Sequence, residues 1–201
     1  AYKRIDPDFK SLGAYFFNSD IEDYLLNVGF GLFKNAFNIN VSGGLQRNNL
    51  DNSKPSTLTR YIGSGDISYN QGNLNIRRNY SNNSSDVAYL VNPELDSLNV
   101  IIVTQDAGLN ASYTLASESQ NQQIITGTFN VQQVTDDVEN PMESSNSQML
   151  VGNLIYSYIL AESQWKFSAK ANYNQNELST VSMKRYGAGL GVSKAFFEGK
   201  L

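Results

Sequence analysis

Apolar and polar residues alternate along this chain with a period of two, segment after segment, and that feature restricts it to sheet. In FNINVSGGLQ, residues 37–46, Phe37, Ile39, Val41 and Leu45 fall on one side of a strand. Asn38, Asn40, Ser42, Gly44 and Gln46 fall on the other. Strand-like segments recur at about 20–32, 36–46, 58–69, 73–80, 100–116, 122–134, 147–161, 164–174 and 182–197. No window of a dozen residues carries a helical stripe, so the chain reads as all-β. The segments are near or above the roughly 9–11 residues with which a tilted strand crosses a bilayer. Two architectures fit such strands. A soluble sandwich buries the apolar faces of two sheets against each other, whereas a membrane barrel turns the apolar face to lipid and the polar face to its interior.

The connections favour the barrel. Lys34-Asn35, Asn70-Gln71-Gly72, residues 117–120, Glu162-Ser163 and residues 198–200 read as tight hairpin turns. Between them come longer polar connections: RNNLDNSKPSTL, SNNSSDVAYLVNPELDSLN, TDDVENPMESSNS and QNELSTV. Short and long alternate, as in an up-and-down meander with short periplasmic turns and long extracellular loops. A Greek-key sandwich would scatter its loop lengths. A soluble up-and-down barrel also meanders, but would carry charge on its outer face. Here charged residues are only 17% of the chain, against about 25% in soluble domains.

The two faces bear this out in sequence. One side collects Leu26, Val28, Phe30, Leu32, Ile39, Val41, Leu109, Tyr113, Phe129, Leu154, Tyr156, Leu190 and Val192. The other is small and amide-rich: Asn27, Gly29, Asn40, Asp106, Asn110, Thr128, Asn130, Asn153, Ser168, Asn172 and Gly189. Phe33, Phe37, Tyr69, Trp165, Phe167, Phe196 and Phe197 flank the short turns, where amphipathic rings would meet lipid headgroups. The expectation is an antiparallel up-and-down transmembrane β-barrel whose apolar side touches lipid.

Composition narrows the chemistry. Without Cys there is no disulfide framework or thiol nucleophile, and without His the commonest general base and transition-metal ligand is missing. The expectation is a protein that is not an enzyme, with no catalytic, cofactor or metal residues. A net charge of −4 with no basic stripe argues against nucleic acid. AYKRI at the start reads as the end of a strand and FFEGKL at the close as a turn before another, so residues 1–201 are expected to form one segment of a larger barrel.

RIDPDFKSLGAYFFNSDIEDY, GLQRNNLDN, NPELDSLNVIIVTQDAGLNASYTL and the closing GVSKAFFEGKL together resemble the C-terminal barrel region of large outer-membrane proteins of the Bacteroidota. The resemblance implies a large barrel, often set in assemblies with lipoproteins or secretion machinery. It carries no functional residue over, and neither a TonB box nor a plug domain is visible.

Several side-chain groups are candidate sites. Arg47, Arg60, Arg77, Arg78, Lys184 and Arg185 are placed close to long loops, where they would meet lipid or lipopolysaccharide phosphates, or else ring the rim in water. Lys166 and Lys170 fall on the polar face with Asn172 and Asn174, either biasing a lumen toward anions or pairing with carboxylates on neighbouring strands. Asp6 with Asp8, Asp20 with Glu22 and Asp23, and Asp136, Asp137 and Glu139 are acidic clusters without the spacing of a calcium loop, and read as solvated loop residues. The functional expectation is a transport channel or the barrel subunit of an envelope complex in a bacterial outer membrane, with lipid and other envelope proteins as partners. The alternative is a soluble secreted β-sandwich adhesin or glycan-binding module.

Overall fold

The computed structural model describes residues 1–9, 19–89, 99–115, 121–138 and 144–195. Phe196, Phe197, Glu139 and the turns expected at 117–120 and 198–200 lie outside these. Ten strands follow one another: β1 (Tyr2–Ile5), β2 (Ile21–Leu32), β3 (Phe37–Asn48), β4 (Ser56–Gln71), β5 (Leu74–Tyr89), β6 (Val100–Leu115), β7 (Gln122–Asp136), β8 (Ser147–Leu160), β9 (Trp165–Leu178) and β10 (Val181–Lys194). They form one sheet in sequence order, each antiparallel to the next, with β1 and β10 as its open edges. This is an all-β meander of the shape a section of barrel wall would have.

The pairing register keeps the two faces separate across the whole sheet. Val28 faces Val41, Phe30 faces Ile39, Leu109 faces Phe129 and Tyr156 faces Ala169. Partners directly opposite share a face, so the outward apolar residues of β2 to β10 form one continuous surface, while a minority, among them Leu25, Ile62, Ile102, Ile155 and Met183, fall on the polar side. None of the described residues covers that surface. Among the described residues no hydrophobic side chain is buried, and Leu26, Leu154 and Leu190 stand 68%, 56% and 89% exposed. A sandwich of this size would enclose a two-sheet core; the described residues form a single layer.

Glycines report which face is hollow. A Cβ built on Gly29, Gly189 or Gly191, all on the polar face, would lie 2.6–2.7 Å from Asn40, Lys170 or Ser168. On the apolar face, a Cβ at Gly43, Gly63 or Gly127 would meet nothing within 4 Å. Side chains converge on a concave surface and splay from a convex one, so the polar face is the inside of the curve.

The short turns also define a tilt. The last pairs before them are Leu32–Phe37, Gln71–Leu74, Leu115–Gln123 and Leu160–Trp165. Followed across the sheet, each lies two residues further along than the one before, a drift of one residue per strand. With strands about 4.8 Å apart and a rise of about 3.3 Å per residue, the strands incline by about 35° to the line through their turns. That is a tilt at which sheets close into barrels.

Two connections differ from the sequence reading. β5 continues through SNNSSDVAY to Tyr89, and β9 and β10 run on until Leu178 pairs with Val181, leaving Ser179-Thr180 as a tight turn. The alternation of short and long connections is therefore not strict. The extended parts are polar on both sides, so they lack the alternation that marks a strand, yet their backbone ladders are complete.

Candidate functional site

The polar, concave face is where solute or protein would meet this sheet. Its middle is held by cross-strand side-chain bonds. The Ser42 and Ser64 hydroxyls lie 2.5 Å apart. Arg77 Nε donates to Asp66 at 2.7 Å. Asp106 accepts from Gln132 at 2.8 Å and from Ser81 at 3.4 Å. Asn153 reaches Thr128 at 3.1 Å. Between β2 and β5, Ser42, Ser64 and Ser81 line a shallow concavity of about 490 Å³ with Asn27, Asn40, Asp66, Arg77 and Asn79. Donors and acceptors are arranged for hydration. No three metal-ligating side chains converge among the described residues.

Charge on this face is divided. Asp23, Arg60, Asp66, Arg77 and Asp106 lie inward on β2 to β6. Lys166, Lys170 and Arg185 lie inward on β9 and β10. The two lysines are on the polar face that the alternation assigned them, opposite Ile159 and Ser193 for Lys166 and opposite Ile155 and Gly189 for Lys170. No carboxylate stands beside either. The pairing partners anticipated for them on neighbouring strands are absent from the described residues, and β9 and β10 present a one-sided positive strip.

The remaining basic candidates scatter. Arg47 faces outward near the loop end but is committed to Glu22, at 2.6 Å. Glu22 also accepts from the Tyr2 and Tyr24 hydroxyls, at 2.9 and 3.1 Å, and is 2% exposed. Lys184 faces outward, level with Gln175. Arg60 and Arg185 point inward. Arg77 and Arg78 do not lie near a long loop at all, because β5 starts at Leu74 and carries them only a few residues past its short turn. Adjacent residues of a strand face opposite ways, so Arg77 turns in to Asp66 and Arg78 turns out. No family model, curated protein or solved structure matches the chain.

The aromatic residues, by contrast, form two levels on the convex face. Phe33, Phe37, Tyr69, Tyr113, Tyr158, Trp165 and Phe167 gather by the short turns, with Phe37 and Tyr69 rings 4.7 Å apart and Trp165 and Phe167 6.3 Å apart. Once the strand tilt is allowed for, Tyr2, Tyr24, Tyr61, Tyr80, Tyr173 and Tyr186 lie within about three residues of a second level. Between them the strand from Tyr24 to Leu32 climbs about 22 Å. The second level escaped the sequence reading, because finding it requires the register.

The loop end has a keystone that sequence could not reveal. Asp20, 2% exposed, accepts from the backbone of Leu50 at 2.7 Å and Asn49 at 3.0 Å and pairs with Lys54 at 2.6 Å. Asn49, 3% exposed, donates to the Lys54 and Ser56 carbonyls at 3.0 and 3.2 Å and accepts from the Lys54 amide at 2.8 Å. Burial pushes the Asp20 carboxyl up, and the Lys54 ammonium with the Leu50 and Asn49 amides outweighs it, holding it below its ordinary range. A depressed carboxylate stabilises the fold above its unfolded pKa, and the gain is lost as pH falls through the lower folded value. Asp20→Asn is therefore expected to weaken the 49–55 connection by about 1–2 kcal/mol at neutral pH. Protease cleavage within 49–55 should then be several-fold faster, while the parent resists pepsin until the pH is below about 4.

Proposed function

We propose that these residues form part of the wall of a β-barrel in a bacterial outer membrane of the Bacteroidota type. The protein does no covalent chemistry, and serves as a transport channel or as the barrel subunit of an envelope complex. The observation that carries this reading is a single-layered sheet whose convex face is apolar and uncovered by any of the described residues, and whose concave face is polar. Lipid is the partner that such a convex face fits, and the two aromatic levels stand at a separation suited to the apolar slab between headgroup layers. The polar, partly cationic interior suits hydrated or protein-filled space, and anionic solutes would find their counter-charges on Lys166, Lys170 and Arg185.

Single cysteines test the assignment cleanly because the chain has none of its own. Asn40→Cys and Asn130→Cys should react with a membrane-impermeant thiol reagent in intact outer membranes, and Val41→Cys and Phe129→Cys should not. Reaction at Val41→Cys and Phe129→Cys as fast as at their neighbours would remove the membrane reading. Protection at all four positions would place protein against the concave face and decide for a scaffold over an open channel.

A further inference from the structure

Arg78 stands where a barrel wall has least use for a charge. On the convex face it lies opposite Ile67 of β4 and Leu109 of β6, with Ile76 and Tyr80 two residues away on its own strand. Its diagonal neighbours are Gly65, Tyr69, Ala107 and Ala111. No ion pair reaches it among the described residues. The other outward cations of the described residues lie at the margins: Arg4, Arg47 and Lys184 near the loop end, and Lys194 over the Trp165 ring at 5.3 Å, at the lower aromatic level.

Depth decides what can neutralise Arg78. Along β5, beyond the ring of Tyr80, the first outward polar residue above it is Asn82, and the short turn begins below it at Leu74, each four residues away. At the strand tilt found here four residues amount to about 11 Å of depth. An arginine side chain is shorter than that, so Arg78 cannot snorkel to headgroup phosphate on either side. Beside it the convex surface dips: a Cβ on Gly43 or Gly63 would meet nothing within 4 Å, and one on Gly65 nothing nearer than 4.0 Å. Tyr61 and Tyr80 border this dip, 56% and 46% exposed.

We propose that the convex face of β3 to β6 is a docking surface for a second membrane-embedded protein, which presents an aspartate or glutamate to Arg78 at mid-depth and lays its backbone over the glycine dip. This rests on the reading of the sheet as a membrane-barrel wall. A guanidinium and a carboxylate removed from water together make a bidentate, charge-assisted pair, while each alone in the apolar layer is strongly disfavoured. The pair therefore selects one partner and one register. The described residues of a second copy of this chain do not meet the requirement. Its convex face has no carboxylate between the aromatic levels among the described residues: Glu22 is held by Arg47, and Asp86 and Glu177 stand beyond the upper level.

The test uses Arg78→Lys protein in its native membranes, treated with dicyclohexylcarbodiimide, which is apolar enough to enter the bilayer. The reagent converts a carboxyl group to an O-acylisourea, and the neutral lysine amine displaces the urea to leave an amide. The expected product is a peptide spanning position 78 joined through that amide to an Asp or Glu side chain of another polypeptide. It should be missing from untreated membranes and from Arg78→Leu membranes. An Arg78→Lys protein that stays membrane-embedded yet forms no such amide overturns the docking surface, as does a benzophenone side chain at position 78 that inserts only into lipid. A protein that an alkaline wash releases in soluble form overturns the barrel reading itself, and the inference with it.

Discussion

Val28→Arg and Leu154→Arg should each destabilise the membrane-embedded protein by about 2–4 kcal/mol, the cost of an arginine facing lipid near mid-depth of a barrel wall. Val28 is 50% exposed on the convex face, between Leu26 and Phe30 along its strand and opposite Val41. Leu154 is 56% exposed, opposite Gly127 and Ala171. Six strand spacings separate them in the sheet, about 29 Å at the usual distance, so the two costs should add. The double variant would lose about 4–8 kcal/mol, much of the stability an ordinary domain has. Asn27→Arg moves the same charge by one residue onto the polar face, and its effect should stay below about 1 kcal/mol. Urea unfolding of the protein in phospholipid vesicles measures all four. If water covered the convex face, Val28→Arg would cost no more than Asn27→Arg, and the membrane reading would be withdrawn.

The parts of this fold that were legible in sequence are those where a strand has one wet face and one dry one. Phe30 and Ile39, or Leu109 and Phe129, alternate with amides and glycines so regularly that strand, face and meander follow from them. Where both faces are wet the signal vanishes. Ser81 to Asp86 alternate small polar residues with one another, and only the backbone pairing to β4 and β6 makes them strand. That error of strand length moved Arg77 and Arg78 from the supposed edge of a long loop to the lower half of β5. The separation of the two arginines was available from period two alone, since neighbours in a strand cannot both reach one lipid phosphate. The Asp20 and Asn49 keystone was not available: it joins residues 29 apart through backbone amides, and nothing in either local sequence marks it.

Curvature is a property of the sheet that two glycine substitutions should read directly. Gly108 sits on the concave face between Asn79 and Asn130, and a Cβ there would press into the Asn79 carboxamide and lie 2.8 Å from the Asn130 oxygen. Gly127, on the convex face, has nothing within 4 Å of the same position. Gly108→Val should therefore cost about 1–3 kcal/mol as an overpacked site, with both asparagines displaced from their rotamers. Gly127→Val should be neutral or stabilising, because a β-branched residue suits a strand and an apolar one suits the convex surface. Asn79→Ser should be mild alone and should recover part of the Gly108→Val loss, since it removes one of the two clashing groups; the coupling between the two changes measures their contact. In a flat sheet side chains on both faces stand equally far apart, and the two valine substitutions would behave alike. A difference in the stated direction means that the polar face is held inward by its own packing: glycines leave room for asparagine and lysine side chains that would otherwise force the strands apart. The same packing that bends the sheet thus fills its interior with polar side chains.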